Sequence, residues 1–128
     1  MSTIPLLRVL VVNDQREMCE LWQRIIDMAP GLTCPGYALD CEEAVQMVNQ
    51  LHPDIVFMDV LMPGMTGDEA AKQIMEKYPK MVVILYSAYN NTEQRARSSG
   101  AADFVLMPIQ PDKLIAILRR AYSKQRNA

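Results

Sequence analysis

Four short, unbroken apolar runs, at residues 9–12, 55–58, 81–86 and 104–107, are separated by segments in which apolar residues return every three or four positions. A strand that is apolar at every position needs cover on both faces, and the intervening helical stretches supply it. The pattern therefore predicts repeated βα units around a parallel sheet. A fifth run, at 33–38, contains Pro35 and Gly36. Proline has no N–H for the ladder, so this strand is expected at a sheet edge.

Between the strands, Met18, Leu21, Trp22, Ile25 and Ile26 share one helix face, and Ala44, Met47, Val48 and Leu51 repeat the spacing. Asp40, three residues before Glu43, predicts a capping box at the start of that second helix. Ala71, Ile74, Met75 and Tyr78 form a third stripe, and Leu114, Ile117, Leu118, Ala121 and Tyr122 the last. Residues 90–99 hold only Ala96 as an apolar side chain before Gly100. That helix, the fourth, is expected to dock weakly and to be the most mobile.

Numbered in chain order, these elements predict a flavodoxin-like (βα)5 architecture of α/β class. Right-handed crossovers and an edge strand with proline give a doubly wound, five-stranded parallel sheet of order 2-1-3-4-5. Ligands of such sheets bind beyond the carboxyl ends of strands 1 and 3, where the order reverses.

The 128 residues, half of them hydrophobic, suit one domain over 1–128, with ends at about 1–5 and 125–128 expected to be flexible. No stretch approaches the roughly 20 apolar residues of a membrane span. Residues 1–7 lack a basic start and a long apolar stretch, which makes the cytoplasm the expected compartment. Cys19, Cys34 and Cys41 form no C-x-x-C pair and His52 stands apart from them, an arrangement unsuited to structural zinc. A formal charge of −2 gives no general attraction to nucleic acid or anionic lipid, so neither is expected as a direct partner.

The strand ends carry the chemistry. Strand 1 runs into Asn13-Asp14, strand 3 into Asp59, strand 4 into Ser87-Ala88 and strand 5 into Met107-Pro108. Singly, Asp14 reads as a helix cap and Asp59 as a loop residue. Together at the switch point they offer two hard oxygen ligands suited to Mg2+.

After Asp59 the chain continues Val60-Leu61-Met62-Pro63-Gly64-Met65-Thr66-Gly67. This D-x-x-M-P-x-x-x-G run, with Ser87-Ala88 after strand 4 and Gly100-Ala101-Ala102-Asp103-Phe104 leading to Pro108, resembles the receiver domains of two-component response regulators. The resemblance implies that Asp59 accepts a phosphoryl group and that Asp14, Asp59 and the Leu61 backbone carbonyl hold Mg2+. It implies that Ser87 hydrogen-bonds a phosphoryl oxygen, that Phe104 is a switch residue and that the Met107–Pro108 bond is cis. A sensor histidine kinase or phosphotransfer protein would be the phosphoryl source. Helix 4, strand 5 and helix 5 would face an output partner or output domain, and a homodimer is left open.

Two positions depart from the family pattern. Asn13 stands where an acid is usual, and Met107 where a lysine normally precedes the proline. A thioether brings no charge to a phosphoryl group. Arg16 is read as a solvated residue, with entry into the site as the lesser alternative. Two other functions compete: a degenerate receiver that binds partners without phosphorylation, and a flavin- or nucleotide-binding protein. The latter needs a Gly- or Ser-rich phosphate loop after strand 1, and Asn13-Asp14-Gln15-Arg16 is not one.

Overall fold

Residues 6–127 are described by the computed structural model. The elements are β1 (Leu7–Val12), α1 (Arg16–Met28), β2 (Leu32–Ala38), α2 (Cys41–Leu51), β3 (Ile55–Asp59), α3 (Gly67–Lys77), β4 (Val82–Ser87), a 3-10 turn (Asn90–Thr92), α4 (Glu93–Ser98), β5 (Asp103–Leu106) and α5 (Pro111–Arg126). All strand pairs are parallel, in the order β2-β1-β3-β4-β5. This is the flavodoxin-like fold expected from the alternation of apolar runs and helical stripes.

Successive strand residues point to opposite faces, and both faces are dry over residues 9–12, 55–58 and 82–85, whereas Leu106 of β5, expected to be covered, is 48% exposed at the sheet edge. Val9, Val11, Phe57 and Ile84 pack under α1 and α5 against Trp22, Ile26, Leu114 and Leu118. Leu10, Val12, Val56, Met58, Val83 and Leu85 pack under α2, α3 and α4 against Ala44, Val48, Ala71, Ile74 and Ala96. On the first face Phe57 stacks on Tyr86 at 4.3 Å and meets the Trp22 ring edge-on at 5.6 Å.

The edge strand carries its irregularity where Pro35 requires it. Arg8 pairs with Thr33 but Leu10 pairs with Gly36, so Cys34 and Pro35 together oppose Val9 in a bulge. At the start of α2, Glu43 N–H donates to Asp40 Oδ1 at 2.7 Å, while Glu43 Oε1 accepts from the N–H of Leu39, one residue before the cap, at 2.9 Å.

Leu21, assigned from its spacing to the buried face of α1, is 41% exposed. The inward stripe runs through Cys19, Trp22 and Ile26, which carries Leu21 around to the wet side. Ile115 is buried in α5 although the stripe had omitted it. The weakly apolar segment at 90–99 forms only six helical residues after the 3-10 turn. Besides Ala96, an ion pair from Arg95 to Asp68 at the start of α3 holds it, at 3.2 Å. Residues 125 and 126, expected among the loose ends, lie within α5, while 1–5 and 128 fall outside the described residues. Among the described residues, no helix is long and apolar enough to cross a membrane.

The aromatic stack and the exposed Leu21 make opposite predictions. Phe57→Ala should lower unfolding stability by about 3–5 kcal/mol, and Leu21→Ala by less than about 1 kcal/mol. Urea midpoints measured on both variants check the assignment of the core face.

Candidate functional site

Register brings the strand ends together. Asp59 is the last residue of β3 and pairs with Tyr86 of β4, and Ser87 pairs with Leu106 of β5. Beyond Asp59 the chain turns back sharply. The N–H of Gly67 donates to Val60 O at 2.8 Å, and a Cβ at Gly67 would lie 2.2 Å from the Asp59 carbonyl oxygen. Only glycine allows α3 to start against the strand end. Met62 is buried against Cys41, so the intervening loop is anchored from beneath.

The Asp59 carboxyl group is half-buried and accepts the N–H of Leu61 on Oδ1 at 3.1 Å. Burial pushes its pKa up to about 6; the negative charge of Asp14 adds to the rise, and the N–H groups of Leu61 and Val60 oppose it. Asp14 itself is exposed. Among the described residues neither carboxylate takes part in an ion pair. The site therefore holds like charges, one of them partly desolvated, without an internal cation.

That donor set fits Mg2+. Two carboxylates and a nearby backbone carbonyl, that of Leu61, are hard oxygen ligands, and Mg2+ commonly keeps several waters besides one or two carboxylates. Among the described residues no group of three or more His, Cys, Asp or Glu gathers as a metal cluster.

The remaining strand-end residues differ in burial and in their hydrogen-bond partners. Ser87 is 1% exposed, and its Oγ accepts the N–H of Tyr89 at 3.0 Å, leaving the hydroxyl proton free to be donated. Phe104 points inward and is buried among the apolar residues under α3 and α4. Met107 donates its backbone N–H to Ser87 O at 2.8 Å. Its side chain lines an apolar cavity of about 350 Å3 with Met18, Trp22 and Tyr86. The Met107–Pro108 peptide is cis.

Asn13, which the sequence placed among the site residues, is buried with both ends of its amide engaged. Its Nδ2 donates to the Tyr86 hydroxyl at 2.8 Å, and its Oδ1 accepts the N–H of Gln15 at 2.8 Å. Tyr86 in turn donates to Val12 O at 3.1 Å. Arg16 stays outside, donating to the Tyr37 hydroxyl at 3.1 Å on the surface. Tyr86 is the residue that sequence reasoning missed. Its signal was a phenol closing an otherwise aliphatic run, which demands a buried hydrogen-bond partner.

The model of the response regulator receiver domain family matches residues 9–119. Chemotaxis protein CheY of Thermotoga maritima is 37% identical over 115 residues, covering 88% of this chain and 95% of that protein. The response regulator domain of Thermotoga maritima CheB superposes with a TM-score of 0.84 at 34% identity, covering 92% of this chain and 97% of that one. Response regulator TrrA of the same organism, in complex with Mg2+-BeF, superposes with a TM-score of 0.81 at 28% identity, covering 89% and 97%. Against a protein-glutamate methylesterase/protein-glutamine glutaminase of Thermotoga maritima, 39% identical over 108 residues, the chain spans only 30% of the relative's length.

The raised Asp59 pKa fixes the sign of a stability measurement. In the folded chain the carboxyl group titrates near 6, against 3.8 for the ordinary group, so its ionised form is penalised above about pH 6 and the penalty vanishes below about pH 4. Without divalent cation, Asp59→Asn should stabilise the fold at pH 8 by about 1–2 kcal/mol after solvent screening is allowed for. That gain should shrink to nothing as the pH falls to 4, as read from urea unfolding across the range.

Proposed function

The chain belongs to the response regulator receiver domain family, and we propose that it is a phosphorylation-driven switch of two-component signalling with Asp59 as the phosphoryl acceptor. Receiver domains are signalling domains. The observation that carries the reading is the half-buried Asp59 carboxylate, set beside Asp14 at the end of β3 with no cation to match it.

A carboxylate so placed is a nucleophile that waits for a cation and an electrophile. One Asp59 oxygen attacks the phosphorus of the donor, its bond to the leaving group breaks, and an aspartyl phosphate remains. Asp14, Asp59 and the Leu61 carbonyl are the groups that would hold Mg2+. When bound, the ion supplies the positive charge that the phosphoryl oxygens need at a site whose own side chains are anionic. The Leu61 N–H, already on Asp59 Oδ1, fixes the carboxylate orientation. Ser87 donates its hydroxyl proton to a phosphoryl oxygen and so pulls on the end of β4. Phe104, packed against Ala96 of α4, then follows the rearrangement in the apolar layer beneath that helix.

A sensor histidine kinase or phosphotransfer protein is the fitting donor, in a cytoplasmic setting, and the face of α4, β5 and α5 is the fitting output surface. TrrA, solved with Mg2+-BeF, supports the metal assignment by similarity. A second reading, a receiver that binds its partner without phosphorylation, is favoured by Met107. Its thioether sits in an apolar cavity and offers the phosphate no charge with which to couple to β5.

Intact-mass measurement after treatment with acetyl phosphate separates the readings. The parent chain should gain one phosphoryl group only with Mg2+ present, and Asp59→Asn should gain none. Mg2+ affinity should fall as the pH drops through 6, because the ligating carboxylates must be ionised. Met107→Lys should enlarge the phosphate-dependent change in hydrogen exchange across residues 90–104. If only Met107→Lys becomes modified, the phosphorylation-independent reading replaces the switch.

A further inference from the structure

A cavity of about 760 Å3 lies at the opposite end of the sheet from Asp59, between the α2–β3 loop, the α3–β4 loop and the last turn of α5. Its lining combines two tyrosines, Tyr78 and Tyr122, and His52 with three cations, Lys77, Lys80 and Arg126. The one carboxylate there, Asp54, already accepts the backbone N–H of Arg8 at 2.9 Å. Among the described residues, none of the three cations is in an ion pair. A chain of net charge −2 thus gathers an excess of positive charge in this cavity.

The walls are fixed before any ligand arrives. Arg8 donates to Leu51 O and to His52 O, at 3.2 Å for the latter, and so ties the end of α2 to β1. His52 takes a left-handed conformation at φ 47° and meets Tyr78 edge-on at 6.0 Å. The Tyr78 hydroxyl and Lys77 Nζ both donate to Asn49 Oδ1, at 2.8 and 2.9 Å, which joins α3 to α2. Lys77 and Arg126 stand in the last turns of α3 and α5, where cations also offset the negative helix ends. Lys80 lies in a loop and has no such role, and helix ends do not call for tyrosines.

We infer that this cavity is a binding site for a small anionic aromatic ligand of the mononucleotide class, separate from the phosphorylation site. Small-molecule sites commonly occupy about 300–1,000 Å3, with apolar or aromatic walls and a few placed polar groups, and this one falls in that range. A base packs against Tyr78 or Tyr122 beside the cations that already lie over these rings, Lys77 Nζ 5.5 Å from the Tyr78 centroid and Arg126 Cζ 5.8 Å from that of Tyr122. The phosphate is met by Lys80 and Arg126, which are exposed and form no ion pair among the described residues. The inference does not depend on Asp59 chemistry, so the two stand or fall separately.

The test titrates the purified chain, in EDTA, with AMP, adenosine and inorganic phosphate, following backbone amide NMR shifts. AMP should shift amides at 52–54, 77–81 and 122–126 and leave those of residues 13, 14, 59 and 87 in place. Adenosine and phosphate should each bind at least about tenfold more weakly, since each supplies half of the contacts. Lys80→Ala combined with Arg126→Ala, both on the surface and compatible with the fold, should weaken AMP at least about tenfold. The inference is overturned by an absence of shifts with AMP, by shifts confined to the Asp59 end, by equal affinity for adenosine, or by an unchanged affinity in the double variant.

Discussion

Within the central strands polar side chains are confined to the ends, because β1, β3 and β4 are buried on both faces along their apolar runs. Between Val9 and Val12, Ile55 and Met58, or Val82 and Leu85, no side chain reaches water. An ionised group in those runs would be stripped of solvent with nothing to replace it, at a cost of several kcal/mol. The first positions where a carboxylate can stay partly hydrated are those just past the apolar runs. Asp14 and Asp59 stand there, side by side because the strand order reverses between β1 and β3. The same restriction at the other end of the sheet collects His52, Asp54 and Lys80 in the loops that enter the strands.

The constraint also explains what was legible in the sequence. A strand covered on both sides is apolar at every position, so β1, β3 and β4 stood out without any alternation to detect, and β5 was an equally unbroken run although its Leu106 is exposed at the sheet edge. Their boundaries were harder to read, for a physical reason. Ser87, Asp59 and Asp103 are polar and ended or preceded the apolar runs, yet each belongs to a strand through its backbone ladder. Side-chain polarity marks where the core stops, whereas the ladder continues one residue further. Leu21 shows the converse, since an apolar residue at an acceptable helical spacing lies outside the stripe once Cys19 takes the inward position.

Site geometry was legible only in part. The placement of Asp14, Asp59 and Ser87 follows from topology, which a run of strands and helices dictates. The partner of Asn13 does not, because Tyr86 is 73 residues away and no local pattern links them. An asparagine beside an aspartate reads as a missing charge. In the folded chain its amide is buried, with the donor spent on a phenol and the acceptor on the N–H that opens the turn into α1. Leaving either group unmet in that environment would cost about 1–3 kcal/mol, enough to hold the side chain inward.

This changes how charge at the site is counted. With Asn13 facing the core and Met107 lining an apolar cavity, the groups left at the strand ends are two like charges and a hydroxyl. Asp59 feels that arrangement as a pKa near 6, driven first by burial and then by Asp14. Among the described residues no cationic side chain pairs with either carboxylate to offset the repulsion. The connection that a lysine would make from the phosphoryl group to β5 is absent, while a different connection is present. Tyr86 pairs with Asp59 along the ladder, precedes Ser87, and ties its hydroxyl to Asn13 and Val12 at the end of β1. Its ring is clamped on Phe57, which in turn meets Trp22. Displacement of Ser87 toward a phosphoryl oxygen would therefore pull against β1 and α1 through a buried, hydrogen-bonded ring. In this chain the side-chain link from the end of β4 runs toward β1 and α1, whereas the link toward β5 is the backbone ladder together with the bond from the Met107 N–H to Ser87 O.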